Sequence, residues 1–158
     1  MPFHLAPYDS CGFCAYVSRA VDCAVIAEDD VAMAFVNHRQ YEHGAALIIP
    51  RQHRETIFDI TEREIARVYW LAKQVAVAAE AAFGACGANI FQNNGIAAGQ
   101  HVPHMHVHVV PRFSGSDAEK LFLQRDFAIV AMSEQRAVAM ALRAAMGLPP
   151  KSMEAQPF

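Results

Sequence analysis

The first part of the chain is built from short apolar runs set off by polar clusters. Cys23–Ala27 and Val31–Val36 flank the acidic triplet Glu28-Asp29-Asp30, a turn-forming sequence, which predicts a β-hairpin. Residues 37–44 are polar and read as a loop. Ala45–Ile49 predicts a third strand, stopped by Pro50, which has no N–H to give to a ladder. Beyond it the period lengthens. Thr61-Glu62-Arg63-Glu64 is a capping-box pattern, and Ile65, Val68, Ala72, Val75 and Ala79 follow at helical spacing. Gly84 supplies the C-terminal stop of this long helix. Ala88–Gln92 and His104–Val110 predict two more strands joined by the glycine-containing loop 93–102, and a second helix is expected over about 133–146. Residues 1–20 read as irregular, the stretch after Pro111-Arg112 carries no assignable pattern, and residues 149–158 read as a flexible tail. This order predicts an α+β fold, a single domain over 1–148 with an antiparallel sheet, one long helix and a C-terminal helix.

Composition narrows the function classes. Of 158 residues, 54% are hydrophobic and 18% charged, which suits a packed core and not a disordered chain. The net charge of −3 argues against a nucleic-acid polymer as partner and for a small ligand held by local donors. The opening residues lack a basic stretch followed by an apolar run, and no apolar run is long enough to span a membrane, so the expected location is the cytoplasm without membrane attachment.

Chemistry concentrates in His104-Met105-His106-Val107-His108. Side chains alternate across a strand, so the three imidazoles share one face, about 7 Å apart, while Met105, Val107 and Val109 face the core. Two readings compete. Imidazoles could ligate a catalytic metal, but no Asp or Glu lies between Ile90 and Ser116 to join them. Alternatively a neutral imidazole attacks an activated phosphorus, which needs a fixed tautomer, an acid for the leaving group and donors for phosphoryl oxygens. Asn93-Asn94-Gly95 and Gly99-Gln100-His101 offer such donors, and the second reading fits better.

The run from Gly99 through Gln100, His101, His104, His106 and His108 to Pro111-Arg112 resembles the signature of the histidine triad (HIT) nucleotide hydrolase/transferase family. The likeness extends from Cys11 to Arg112 and takes in Ala34–Asn37, Leu47–Pro50, His53 and the loop from Asn93 to Gln100. The resemblance implies the HIT fold and a defined division of labour. His106 matches the nucleophile, which attacks the α-phosphorus of a purine nucleoside derivative, such as a dinucleoside polyphosphate or adenylyl phosphoramidate, and forms a nucleotidyl-histidine that water hydrolyses. His108 matches the residue that contacts phosphate and assists the leaving group. Asn37 matches the ribose-binding residue, and Phe35, Val36 and His38 would flank the base. Asn93 matches a side chain near the scissile phosphate, and Gly99, Gln100 and His101 match the loop that donates to phosphate oxygens. His101 stands where relatives often carry Ser or Thr. Many relatives also have a supporting Gly-His before the third strand; Gly44-Ala45 stands there, with His43 just upstream. The alternative function is a nucleotide-binding regulatory module with little turnover. The family typically forms homodimers through the long helix and a sheet edge, which implies a dimer here.

Cys11-x-x-Cys14 reads as structural zinc, a redox dithiol or two buried thiols, and zinc is favoured because no thioredoxin-like unit is evident. In HIT relatives that bind a structural zinc, the other two ligands fall on His53 and His104, with no metal needed for chemistry. Cys23 and Cys86 read as small core residues. Arg63, Arg67 and Lys73 read as a solvated helix face, and Arg112 as either a phosphate contact or a surface salt bridge.

Overall fold

The structure is a computed structural model that describes residues 5, 10–117, 119, 127 and 129–150. Five strands form one antiparallel sheet: β1 (Val25–Glu28), β2 (Ala32–Val36), β3 (Ala46–Pro50), β4 (Gly87–Gln92) and β5 (Val107–Arg112), in the order β1-β2-β3-β5-β4. The first three are a meander. Asp29 turns β1 into β2 by accepting from the Val31 and Ala32 N–H groups with one carboxylate oxygen at 2.8 and 2.9 Å, the local bonding that makes Asp a turn residue.

Strand residues of β2 and β3 are buried on both sides, and the alternation sorts them into two cores. Ala32, Ala34, Val36, Ala46 and Ile48 face the helices, while Met33, Phe35, Leu47 and Ile49 face the opposite side with Phe13. The helix side carries α2 (Glu62–Phe83) and α3 (Met132–Ala145). Helix α2 begins on the expected capping box between Thr61 and Glu64 and ends at Gly84, which adopts φ +72°. Its buried stripe is Val68, Leu71, Ala72, Val75, Ala78 and Ala79; the small residues let the helix lie close to the sheet, and each large one contributes about 1.5–3 kcal/mol by leaving water.

Several sequence expectations are refined. Within the stretch read as irregular, Gly12–Val17 forms a short helix, α1, capped by the Cys11 sulfur, which accepts from the Cys14 N–H. The strand expected from His104 is paired only from Val107 and runs on to Arg112. Pro111 lies opposite Ala88 of β4, but the neighbouring Arg112 carbonyl bonds to that side, from the Cys86 N–H. Strand β3 pairs with β5 only at Val107, His108 and Val109, so no ladder bond is asked of the proline on the β3 side. Cys86 is exposed, not in the core, because it lies just before the edge strand β4; Cys23 is half-buried against the second core. Arg67 does not simply face solvent: it pairs with Asp29 and stacks over Trp70 at 3.9 Å, while Arg63 reaches Asp30 at 2.9 Å. Among the described residues no helix is long and apolar enough to cross a membrane. The tail expected at 149–158 lies, from residue 151, outside the described residues.

Candidate active site and metal centre

Local sequence sets the histidine face. Met105, Val107 and Val109 enter the helix-side core with essentially no exposure, which turns His104, His106 and His108 to the other side of the sheet. His108 stands in β5 opposite Leu47 of β3 and Phe91 of β4. His106 and His104 precede the paired part of the strand and are held by loop contacts, among them the Met105 N–H to the Arg54 carbonyl at 2.6 Å and the His104 N–H to the Val102 carbonyl at 2.8 Å.

The tautomer of His106 follows from its partner. A carbonyl oxygen only accepts, so the 2.7 Å contact between His106 Nδ1 and the His104 carbonyl places the ring proton on Nδ1 and the lone pair on Nε2. Burial lowers the His106 pKa, and the nearby charge of His101 lowers it further, so the ring is neutral at neutral pH. The ring of His108 lies 5.0 Å from that of His106. It is stacked on Phe91 at 4.5 Å and 3°, and Tyr41 meets it edge-on at 5.7 Å. Burial, and then the charge of His106, push His108 down to about 3. Among the described residues its buried Nδ1 has no hydrogen-bond partner. A bare lone pair is cheaper to bury there than an N–H, which favours the proton on Nε2.

An aromatic wall adjoins these rings. Phe13 meets His106 edge-on at 5.3 Å and Phe35 at 5.4 Å, and Tyr16 meets Phe35 at 5.2 Å. Asn37 follows Phe35 by two residues and is buried; its Oδ1 accepts from the Arg39 N–H at 3.1 Å. His38 is half-buried, its carbonyl accepting from the Val130 N–H, and burial followed by the charge of Arg39 lowers its pKa.

The loop after β4 divides its donors unevenly. Gly95 and Gly99 adopt φ of +85° and +80°, where glycine is unstrained, around a 3₁₀ turn over Ile96–Ala98. Gln100 is buried and wholly spent on this loop: Oε1 accepts from the Gly95 N–H at 2.8 Å, and Nε2 donates to the Glu55 and Val102 carbonyls at 2.7 and 3.0 Å. Its own N–H goes to the Gly95 carbonyl. The Gly99 N–H is likewise used, by Ile96. Among the described residues no hydrogen bond is found for the His101 N–H or the Asn93 side chain, and Asn93 Nδ2 lies 3.8 Å from the position a Gly99 Cβ would take. Asn93, through its side-chain amide, and His101, through its N–H and its exposed ring, thus carry donors without protein partners among the described residues.

The second cluster joins three segments. Cys11 and Cys14 on α1, His53 after β3 and His104 place one ligand atom each within 4.8 Å of all the others. His104 Nδ1 is 3.4 Å from Cys11 Sγ and 3.6 Å from Cys14 Sγ, and His53 Nδ1 is 3.2 Å from Cys14 Sγ. Tetrahedral zinc, with bonds of about 2.3 Å to sulfur and 2.0 Å to nitrogen, needs ligand atoms about 3.3–3.8 Å apart, so the spacing fits. The Pro50 carbonyl, 2.9 Å from His104 Nε2, takes that N–H and leaves Nδ1 free to ligate, the outer-shell bond such sites require. Burial, then the bond and charge of Cys11, push Cys14 up to about 11; two thiolates side by side in this place need a cation between them.

Other expected positions are settled by packing. His43 meets Phe83 of α2 edge-on at 4.6 Å and makes no ring contact with the triad among the described residues. Arg112 is not at the surface: its side chain is 11% exposed, Nη1 lies 3.6 Å from Glu42, and Nε and Nη2 are buried without partners among the described residues. Phe13, Tyr16, Tyr41 and Phe91 join the site without being singled out by any motif. Strand parity could have found Phe91, since it puts that ring beside His108; the others depend on how loops fold over the sheet.

Comparison with known proteins agrees with this geometry. The HIT domain family model matches residues 18–115. The protein hit of Bacillus subtilis is 34% identical over 110 residues, 69% of this chain and 75% of that protein. Adenosine 5′-monophosphoramidase hnt1 of Schizosaccharomyces pombe is 33% identical over 103 residues, 65% of this chain and 74% of the relative. The crystal structure of a Zn-bound histidine triad family protein from Mycobacterium smegmatis superposes with a TM-score of 0.74 at 33% identity, covering 87% of this chain and 94% of that one. A triad of alternating histidines on an antiparallel sheet, matched in sequence and in fold, makes this chain a member of the histidine triad family.

Proposed function

We propose that this protein is a nucleotide hydrolase or nucleotidyl transferase that attacks the α-phosphorus of purine nucleoside derivatives, such as dinucleoside polyphosphates or adenylyl phosphoramidates. One observation carries the reading: the His104 carbonyl takes the Nδ1 proton of a buried, neutral His106 and leaves Nε2 as a nucleophile. The relative named adenosine 5′-monophosphoramidase supports the substrate class.

In the first step the Nε2 lone pair of His106 forms a bond to the α-phosphorus, and the bond from phosphorus to the leaving oxygen or nitrogen breaks. The leaving atom keeps that electron pair and takes a proton from solvent. His108, neutral with its proton on Nε2, donates a hydrogen bond there, and the free donors of Asn93 and His101 serve the phosphoryl oxygens. Water then attacks phosphorus and gives a proton to solvent, and the phosphorus–nitrogen bond breaks, returning its electron pair to His106 Nε2. A different acceptor in place of water makes the same chemistry a transfer. Phe35, with Phe13 and Tyr16 around it, receives the base, which His38 flanks; Asn37 stands at the ribose end.

Cys11, Cys14, His53 and His104 would hold zinc. Four protein ligands close a tetrahedral shell, so the metal there serves structure and takes no part in the chemical step. Ligand thiols that must stay reduced suit the cytoplasm. Among the described residues no strand pairs with the outer edge of β4, and Ile90, Tyr69 and Val77 expose 41%, 42% and 54% of their surface along it and the adjoining helix face, which supports a homodimer.

Mixing enzyme with a purine nucleotide derivative radiolabelled at the α-phosphorus should trap a protein-bound, acid-labile nucleotide, absent in His106→Ala. A fully active His106→Ala enzyme overturns the mechanism, and turnover far slower than nucleotide release would point to a regulatory binding module. Sedimentation of the intact chain should give twice the chain mass.

A further inference from the structure

Two groups of aromatic rings bracket the reacting pair. Phe13 stands against His106 and carries the contact on to Phe35. On the His108 side stand Phe91, stacked on that imidazole, and Tyr41, which meets it edge-on at 5.7 Å and 68°. Nucleophilic attack and base binding use only the first group. Tyr41 in turn meets Phe127 edge-on at 4.2 Å. It is half-buried, so part of its ring stays open, and among the described residues no hydrogen bond is found for its hydroxyl. The loop that carries it is fixed by the protein alone. Gln40 donates to the Asn37 and Ala45 carbonyls and accepts from the Gly44 N–H at 2.9 Å, and Glu42, 3.6 Å from Arg112, ties the next residue to β5.

A ring held in this way receives a second ring with little ordering cost. Its place decides what it meets. His108 donates to the leaving atom, so a ring in contact with His108 adjoins the group attached to that atom. Further out on the same strand face come Val110, fully buried, and Arg112, about 13 Å along β5 and facing Glu42. A polyphosphate would ask for cations where Tyr41 and Phe91 present rings. We propose that Tyr41 is a specificity-determining residue: it receives an aromatic ring joined to the leaving nitrogen directly or through a single carbon, so that nucleoside phosphoramidates of aryl-bearing amines are preferred over those of alkyl amines and over dinucleoside polyphosphates. This inference rests on the proposed roles of His106 and His108 and leaves the chemical step unchanged. The phosphorus–nitrogen bond breaks, and the amine departs with the electron pair and a proton from solvent.

The test measures kcat/KM for the adenosine 5′-phosphoramidates of benzylamine and of cyclohexylmethylamine, and for diadenosine triphosphate, with wild type, Tyr41→Phe and Tyr41→Leu. The ratio of the two amides separates ring recognition from a general loss of activity. Wild type should favour the benzyl compound over both others, and its amide ratio should exceed that of Tyr41→Leu by about three- to tenfold, the worth of one aromatic pair. Tyr41→Phe should keep the wild-type ratio. Equal rates for the two amides in wild type overturn the proposal, and so does an unmoved ratio in Tyr41→Leu. A tyrosine that only props His108 would give the second result, with both amides slowed together. A Tyr41→Leu loss confined to diadenosine triphosphate also overturns it, because the platform would then serve a base beyond the phosphates. If Tyr41→Leu does not fold, Tyr41→Met takes its place under the same criteria. Failure of all three substrates to label His106 removes the proposed function itself, whereas labelling with equal amide rates defeats the role of Tyr41 alone.

Discussion

Gln100 offers a sharp choice between two roles. The family resemblance places it in the loop that donates to phosphate, whereas its side chain in this structure makes three internal hydrogen bonds and its N–H a fourth. Replacing it with alanine removes the three side-chain bonds and leaves the Gly95 N–H, in a buried residue, without an acceptor. At about 1 kcal/mol for each bond, and more for the stranded donor, the stability lost should be about 2–4 kcal/mol. Urea unfolding followed by far-ultraviolet circular dichroism measures it directly, with single-turnover nucleotidyl transfer recorded on the same preparations. His101→Ala is the control: the side chain is exposed, so stability should hold within about 0.5 kcal/mol while transfer slows through loss of the imidazole. A Gln100→Ala enzyme with undiminished stability and collapsed turnover would show that the amide is spent on phosphate and refute the scaffold reading.

Other consequences follow from packing and charge. His108 titrates at about 3 when folded, against about 6.5 in an unfolded chain, so between those values only the unfolded chain takes up its proton and stability falls with falling pH. This one group should make the fold about 2 kcal/mol less stable at pH 5 than at pH 7, and equal denaturation midpoints at the two pH values would contradict it. For the same reason kcat/KM should show no half-loss of activity at pH 6.5. In Gly44→Ala the new Cβ would lie 2.9 Å from Phe83 Cε2 and 3.3 Å from Pro111 Cγ at φ +88°, and backbone strain plus overpacking should cost about 2–5 kcal/mol, read as a lowered Tm. Arg112→Met removes a guanidinium with two buried donors that have no partner among the described residues and should leave stability unchanged or higher; a loss above about 2 kcal/mol would reveal a partner.

Much of this protein is determined by the linear sequence, because some physical constraints act over only a few residues. The capping box at Thr61, the stop at Gly84 and the apolar stripe between them set α2 almost to the residue. The Glu28-Asp29-Asp30 turn sets the first hairpin, and strand alternation alone turns His104, His106 and His108 away from the core. Chain pairings over long separations are not readable in this way. Nothing local tells that Cys11 and Cys14 lie against a histidine about ninety residues later, that Phe13 roofs His106, or that Gln100 is consumed by Glu55 and Gly95. Likewise, Arg112 reads as a phosphate contact or a surface salt bridge until the loop carrying Glu42 covers it. Periodicity reports which face a side chain takes, but not what stands opposite; a tautomer, a ligand set and a buried charge are each defined by what stands opposite, and only tertiary packing decided them.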